Sequence, residues 1–205
     1  MPSHAIATLA DLESLYAEPG AASLAKEVDY LHPHYRAFVE AAPFCLLSTM
    51  NQHGGDCSPR GDAPGFVQVL DDRTLLLPDR RGNNRIDSLR NIMADPRVGL
   101  LFLIPGINET LRISGTAVIS TDPELIARCV VQDKAPTTVL VITIRSVFFQ
   151  CARALVRSQL WSSDAQIPRS ALPSTGTMVA TLSRDAIDGE AYDRALPERM
   201  RATLY

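Results

Sequence analysis

The fold depends on the stretch Pro78-Asp79-Arg80-Arg81-Gly82-Asn83-Asn84-Arg85, which joins a strand to a helix. The residues before it, Thr74 to Leu77, are largely apolar over the length of a short strand. The residues after it, Asn84 to Ala94, repeat apolar side chains at helical spacing until Asp95-Pro96 ends the helix. A continuously apolar strand, Val98 to Ile104, follows, and we expect it to be buried on both faces.

Strands dominate the sequence on both sides of this stretch. The other predicted strands are Phe44 to Met50, Cys57 to Gly61, Phe66 to Leu70, Thr110 to Ser120 and Val139 to Phe149. Turn-rich residues join the first two strands as a hairpin, and Asp71-Asp72 joins Phe66–Leu70 to the strand before the arginine stretch. Because six or so strands follow one another with few helices between them, the pattern favours a small antiparallel barrel over a doubly wound sheet.

The two ends of the chain are predicted to lie outside this barrel. Residues 1–42 form an N-terminal helical segment that packs on the barrel, and residues 43–162 form the barrel itself. Residues 163–205 form an exposed arm followed by a helical tail over Thr177 to Leu182 and Asp188 to Leu204.

Composition limits the classes of function. The 205 residues carry a formal net charge of -3, so no overall positive field attracts nucleic acid or anionic lipid. No apolar run approaches the roughly 18 residues that span a bilayer, and the first residues lack the layout of a secretion signal. The cysteines and histidines do not stand at metal-ligand spacing, so we assign no metal. We therefore expect a cytoplasmic protein with neither a nucleic-acid nor a membrane partner.

Three arginines gather where the predicted helix begins. Cations are unfavourable at this end of a helix dipole, so Arg80, Arg81 and Arg85 together indicate an anionic ligand. Free backbone N–H groups and guanidinium groups both match the oxygens of phosphate. The alternative is a solvated basic turn that Asp79 and Asp87 partly neutralise.

Two other segments add arginines to this interpretation. Arg60 lies at a strand end, where it could reach the same anion or simply pair with Asp62. Arg153 and Arg157 stand four residues apart, so on a helix they share a face and repel each other unless an anion binds. Trp161 follows them, and it could stack on a planar ligand or fill a hydrophobic groove.

Several other functional classes lack their motifs here. The sequence has no GxGxxG after a strand, no GxxxxGK[ST] and no GxSxG. The serines have no partner histidine at a recognisable spacing, so nothing indicates hydrolysis. No side chain is assigned as a catalytic acid, base or nucleophile.

The sequence resembles the pyridoxamine 5′-phosphate oxidase-like family of FMN-binding split barrels. The resemblance covers roughly residues 30–162 and rests on three runs in order, SPRGDAPGFVQVLDDRTLLLPDRRGNNRIDSLRNIMADPRVGLLF, LRISGTA and QCARALVRSQLW. It implies a mainly β, α+β fold, namely a six-stranded antiparallel split β-barrel with flanking helices. It also implies a homodimer that holds FMN at the subunit interface.

The resemblance also implies which residues bind the cofactor. Basic residues around the strand-to-helix turn hold the phosphate in such proteins, and the flavin ring lies along the neighbouring strands. The implied residues of one subunit are Arg60, Phe66, Gln68, Asp79, Arg80, Arg81, Asn84, Arg85 and Ser88. The partner subunit is expected to contribute Arg157, Ser158 and Trp161.

The implied function is that of an FMN-dependent oxidoreductase. Such a protein passes a hydride between NAD(P)H or a small-molecule redox substrate and an acceptor. The residues after Ser163 do not match the substrate motif of pyridoxamine 5′-phosphate oxidase itself, so that activity does not carry over. A flavin carrier or sensor without turnover is an alternative, and so is the same fold binding F420 or heme.

Overall fold

One antiparallel sheet of eight strands organises the computed structural model, which describes residues 4–205. The strands are β1 (Glu27–Val28), β2 (Phe44–Asn51), β3 (Gly54–Gly61), β4 (Gln68–Val69), β5 (Thr74–Asp79), β6 (Arg97–Leu103), β7 (Thr110–Ser120) and β8 (Thr138–Gln150). Their order is β3-β2-β6-β7-β8-β5-β4, with β1 beside β8, and the described residues do not pair the two outer strands with each other. The predicted mainly β, antiparallel fold of split-barrel type is confirmed.

The strand count differs from the expected six because β1 and β4 contribute only two residues each. The six longer strands correspond to six predicted ones, and the further predicted strand, Phe66 to Leu70, is shortened to β4. β1 lies within the N-terminal segment that was predicted to be helical, so that prediction is wrong at Glu27–Val28. A strand of two residues is too short to show a period.

Helices flank the sheet and connect its strands. They are α1 (Leu9–Glu13), α2 (Ala21–Leu24), α3 (Pro33–Ala41), α4 (Asp87–Ala94), α5 (Pro123–Ala127), α6 (Arg153–Ser158), α7 (Thr175–Leu182) and α8 (Gly189–Ala202). α3 packs on the sheet through the buried side chain of Val39, whereas α1 and α2 have no buried residue. Within residues 4–205, no helix has both the length and the apolar character needed to cross a membrane.

Strand β5, which leads into the arginine stretch, is buried on both faces. Leu75 and Leu77 belong to the main core, while Leu76 points to the opposite face and packs with Cys129 and Val139. The sequence predicts this double burial for β6 instead, but β6 alternates fully buried with half-buried residues. Because side chains pack on both faces of β5, the position of its last residue, Asp79, is well defined. The turn that follows begins at this residue.

Helix α4 begins three residues later than predicted. Asn84 and Ile86 have φ values of 61° and 53°, which is left-handed backbone, so regular helix starts only at Asp87. Gly82, the glycine of this stretch, does not have a positive φ. The prediction of helix from Asn84 is therefore wrong, and Arg85 lies in the turn rather than in the helix.

The last two helices pack against each other as an α7–α8 hairpin, residues 175–202. Gly176 and Gly189 lie where the helices cross, and the Gly176 N–H donates to Asp193 Oδ1 at 2.7 Å. A Cβ atom on Gly176 would collide with the carbonyl oxygen of Gly189, so the close approach requires glycine.

Candidate functional site

A cavity of about 610 Å³ opens where β5 ends and α4 begins. Its walls come from β3, from residues 79–89, from the loop 134–137 and from Tyr205. This volume lies within the range of small-molecule sites, roughly 300–1,000 Å³. We refer to it as the arginine cavity.

Seven of the twelve predicted site residues line the arginine cavity. They are Arg60, Asp79, Arg80, Arg81, Asn84, Arg85 and Ser88. Phe66 and Gln68 do not line it: Phe66 is buried in the core, and the Gln68 amide donates to the carbonyl oxygen of Arg128 at 2.6 Å. The structure thus brings together the residues around the strand-to-helix turn.

Arg60 enters the cavity from the end of β3 and is only partly satisfied. Its Nη1 atom donates to Asp79 Oδ1 at 2.7 Å, and both side chains are about one-fifth exposed. Its Nε atom is buried and has no acceptor among the described residues. The alternative pairing of Arg60 with Asp62, which the sequence allowed, is not the one that forms.

Asp62 instead pairs with Arg80. Arg80 Nε donates to Asp62 Oδ2 at 2.8 Å, and the side chain of Asp62 is only 2% exposed. Arg80 Nη1 also donates to the carbonyl oxygen of Cys129 at 2.6 Å. The hydroxyl of Tyr205 donates to the other carboxylate oxygen of Asp62 at 2.7 Å.

The remaining two arginines lie at the solvent side of the cavity. Arg85 Nε donates to Asp87 Oδ2 at 2.7 Å, and the Arg85 side chain is 73% exposed. Arg81 is also exposed, and within residues 4–205 it forms neither an ion pair nor a side-chain hydrogen bond. Arg81 is therefore the cavity arginine that is most free to bind a ligand.

These pairings change the electrostatic argument made from the sequence. Crowded arginines were expected to need an anion, yet carboxylates of the same chain neutralise three of the four. The cavity lining nevertheless holds five cationic side chains, with Lys134 as the fifth, against the lining carboxylates of Asp56, Asp79 and Asp87 and that of Asp62, which pairs with Arg80. The excess is positive, so an anion remains the favoured ligand.

A chain of hydroxyl groups lies beside the arginines. Ser88 Oγ donates to Asp56 Oδ2 at 2.9 Å and lies 3.0 Å from Ser58 Oγ. Because the single hydroxyl proton of Ser88 goes to Asp56, Ser58 must donate to Ser88. Asp56 and Ser58 were not predicted from the sequence. The signal was available, because alternate residues of a strand share a face, and Asp56, Ser58 and Arg60 alternate along β3.

The start of α4 adds backbone donors to the cavity. Asp87, Ser88 and Leu89 form its first turn and line the cavity, and no side chain caps this end of the helix. The N–H groups of a first helical turn have no acceptor within the helix, so they are available to an anionic ligand.

The three residues assigned to a partner subunit lie elsewhere in the same chain. Arg157 is exposed, and the Ser158 hydroxyl donates to the carbonyl oxygen of Leu155 at 3.1 Å. Trp161 Nε1 donates to the carbonyl oxygen of Ile107 at 2.8 Å, beside a second cavity of about 370 Å³. Within one chain these residues do not reach the arginine cavity.

Side chains that can ligate a metal do not cluster in the part of the chain that the structure describes. Between residues 4 and 205, no group of three or more His, Cys, Asp or Glu side chains could hold a metal ion. The lining of the arginine cavity in this part of the chain also includes no histidine.

Comparison with known proteins adds a family and several distant structures. The sequence model of the family described as pyridoxamine 5′-phosphate oxidase matches residues 31–151. The crystal structure of HupZ from Group A Streptococcus is 15% identical, covers 58% of this chain and 92% of that chain, and has a TM-score of 0.48.

Two further crystal structures are similar to a comparable share of the chain. A putative pyridoxamine 5′-phosphate oxidase from Lactobacillus delbrueckii is 19% identical over 59% of this chain and 95% of that chain, with a TM-score of 0.48. A protein related to general stress protein 26 from Clostridium acetobutylicum is 14% identical over 57% and 85%, with a TM-score of 0.45. No curated protein matches the sequence.

Proposed function

We propose that this chain, which belongs to the pyridoxamine 5′-phosphate oxidase family, binds FMN in the arginine cavity and acts as an FMN-dependent oxidoreductase. The observation that carries the proposal is the excess of positive charge around a cavity of ligand size. A phosphate monoester carries about two negative charges near neutral pH, so the positive excess attracts it.

The phosphate would be held at the solvent side of the cavity. Arg81 has no carboxylate partner, and Arg85 is exposed beside it, so both guanidinium groups are available. The N–H groups at the start of α4 also favour an anion, because no side chain caps them. Guanidinium groups and helix N–H groups are the donors that bind phosphate in many proteins.

Arg60 supports a polar ligand group deeper in the cavity. Its buried Nε has no acceptor, and a buried donor without a partner is rare in native structures. A carbonyl or phosphate oxygen of a ligand would supply that acceptor. The Arg60–Asp79 pair would keep the guanidinium in place for this contact.

FMN supplies hydride transfer when it is bound, with NAD(P)H or a small organic molecule as the donor. The residues of this chain would bind and orient the cofactor, through the arginines and the start of α4. We assign no proton transfer to a side chain.

We further propose that the protein is a homodimer in which the partner subunit completes the site. Arg157, Ser158 and Trp161 do not reach the arginine cavity of their own chain, so their contribution requires a second copy. Large apolar side chains are also exposed, such as Met93 on α4 at 78% and Val118 on β7 at 67%. Light scattering during dilution tests this idea, because a shared site makes loss of FMN and loss of the dimer occur together.

FMN binding is tested by titrating the purified protein and measuring flavin fluorescence. Replacing Arg81 and Arg85 together by alanine removes two charge-assisted contacts of about 1.5–3 kcal/mol each, so we expect affinity to fall about a hundredfold or more. Arg97→Ala is the matched control, since Arg97 is exposed, pairs with Asp95 and does not line the cavity.

The outcomes separate the candidate functions. Unchanged FMN affinity in the Arg81→Ala/Arg85→Ala variant would contradict the phosphate assignment, and absence of binding by the native protein would contradict the cofactor. If FMN binds but NADH and NADPH fail to reduce it anaerobically, the flavin carrier or sensor is favoured. The absorption spectrum of the purified protein distinguishes FMN from F420 and heme.

A further inference from the structure

We infer that Tyr205 is a positioning residue that holds Arg80 in the arginine cavity through Asp62, and that it thereby couples the α7–α8 hairpin to ligand binding. Tyr205 follows α8 and lines the cavity, 143 residues from Asp62 in the sequence. The part of this inference that concerns the ligand rests on the proposed function. The anchoring of the hairpin does not.

Asp62 is the centre of the arrangement. Its Oδ2 atom accepts from Arg80 Nε at 2.8 Å, and its Oδ1 atom accepts from the Tyr205 hydroxyl at 2.7 Å and from the Ala63 N–H at 2.8 Å. With 2% of its side chain exposed, Asp62 depends on these donors instead of water. Removing one donor would leave a buried carboxylate oxygen less well satisfied and free to turn.

Arg80 is constrained on three sides. Asp62 holds its Nε atom, and the carbonyl oxygen of Cys129 holds Nη1 at 2.6 Å. The ring of Tyr205 lies 5.8 Å from the guanidinium carbon, which is within the range of a cation–π contact. Arg80 Nη2 has no protein acceptor among residues 4–205, so the constrained guanidinium still offers donors to a ligand in the cavity.

The same hydroxyl attaches the hairpin to the barrel. Among the described residues, the bond from Tyr205 to Asp62 is the only hydrogen bond between residues 163–205 and residues 4–161. Within the hairpin, the two helices are joined by contacts such as that of Gly176 with Asp193. Loss of the hydroxyl would therefore loosen the hairpin and leave Asp62, which holds Arg80, with one donor fewer.

The ionisation of the two side chains fits these roles. Burial pushes the pKa of Asp62 upward, but the hydrogen bonds from Tyr205 and Ala63 and the charge of Arg80 outweigh it, so the pKa lies below its ordinary value. The hydrogen bond to Asp62 raises the pKa of Tyr205. Near neutral pH the carboxylate is therefore charged and the phenol keeps its proton.

Tyr205→Phe tests the inference, because it removes the hydroxyl and keeps the ring beside Arg80. We expect faster amide hydrogen exchange over residues 175–205 without any ligand. We also expect FMN affinity to fall by up to about tenfold, because Asp62 then positions Arg80 less firmly. Tyr192→Phe is the matched control, since Tyr192 lies in α8, contacts Arg199 and does not line the cavity.

Amide hydrogen exchange and FMN affinity are measured separately. Failure of the proposed FMN binding can then be distinguished from failure of the role inferred for Tyr205. If the native protein binds no FMN, the proposed function fails, while faster exchange in Tyr205→Phe still supports the anchoring. If exchange over the hairpin is unchanged in Tyr205→Phe, the anchoring is overturned. If the hairpin loosens but the affinities for FMN and inorganic phosphate stay the same, the positioning of Arg80 is overturned.

Discussion

The barrel and the α7–α8 hairpin are stabilised in different ways. The barrel buries whole side chains between long paired strands, with Leu47, Phe102 and Ile142 among its fully buried residues. The hairpin buries only Gly176, and Leu182 on α7 is 84% exposed. Burial of apolar area is the main source of folding free energy, so the barrel supplies the stability of the protein.

The arginine cavity lies where these two regions meet. β3 and β5 bring Arg60 and Asp79 from the barrel, and Tyr205 arrives from the hairpin side. A rigid scaffold that meets a weakly attached element is a common arrangement at ligand sites, because the weak element can move without unfolding the rest. Because the two regions differ in this way, the stability of the barrel and the access of a ligand to the cavity can change independently.

The largest expected effect comes from the barrel core. Phe102→Ala removes a fully buried ring and leaves a cavity, so we expect the free energy of unfolding to fall by about 3–5 kcal/mol. Leu182→Ala on the hairpin should change it by less than about 0.5 kcal/mol, because that side chain is exposed. Chemical denaturation followed by circular dichroism measures both, and equal losses would contradict the contrast.

A medium effect is expected where the two helices of the hairpin cross. Gly176→Ala places a Cβ atom against the carbonyl oxygen of Gly189 and the carboxylate of Asp193, so the helices must separate. Overpacking of this kind costs about 1–3 kcal/mol, here confined to the hairpin. Hydrogen exchange should rise over residues 175–202 and stay unchanged over the barrel strands.

Gly82→Ala is the control for that substitution. A Cβ atom at Gly82 would meet nothing within 4 Å, and its φ is not positive, so no steric effect is expected. If Gly176→Ala lowers the stability of the barrel strands as well, the two regions unfold as one unit and the contrast between them is wrong.

The smallest effect is a shift in the titration of Tyr205. The Asp62 carboxylate raises its pKa, so its hydrogen bond stabilises the attached hairpin fully below the ordinary tyrosine value of about 10. That contribution is lost as the pH rises through the higher value of the folded protein. NMR of ring-labelled tyrosine should give a midpoint above about 10, and Asp62→Asn should return it toward that value.

The titration also checks the anchoring without any ligand. A midpoint at or below the ordinary tyrosine value would mean that the Tyr205 hydroxyl does not donate to Asp62 in solution. The hairpin would then lack its described hydrogen bond to the barrel.

Most of the barrel could be predicted from the sequence because alternation over long strands is a strong signal. β7 has the predicted bounds, Thr110–Ser120, and β8 begins and ends within one residue of its predicted range. The start of α4 could not be predicted, because isoleucine rarely adopts left-handed backbone and Ile86 carries no sign of it. Local sequence patterns do not predict a backbone conformation that the surrounding tertiary structure imposes, as at Ile86.

The site was less predictable than the fold for a related reason. The arginines of the cavity can be predicted from the sequence, but the carboxylate that pairs with each arginine cannot. Asp87 is near Arg85 in the chain, whereas Asp62 and Asp79 pair with Arg80 and Arg60 across strands. Tyr205 had no local signal at all, since only the tertiary structure brings it to Asp62.

The left-handed backbone at Ile86 has a consequence for engineering. A β-branched residue is strained at a φ of 53°, and glycine would occupy the same conformation with less strain. An effort to make the protein more heat-resistant would therefore choose Ile86 early. Ile86 directly follows Arg85, so a change to glycine would also make the segment that carries this arginine more flexible. The stability of the protein would then rise while the positioning of a proposed ligand contact weakens.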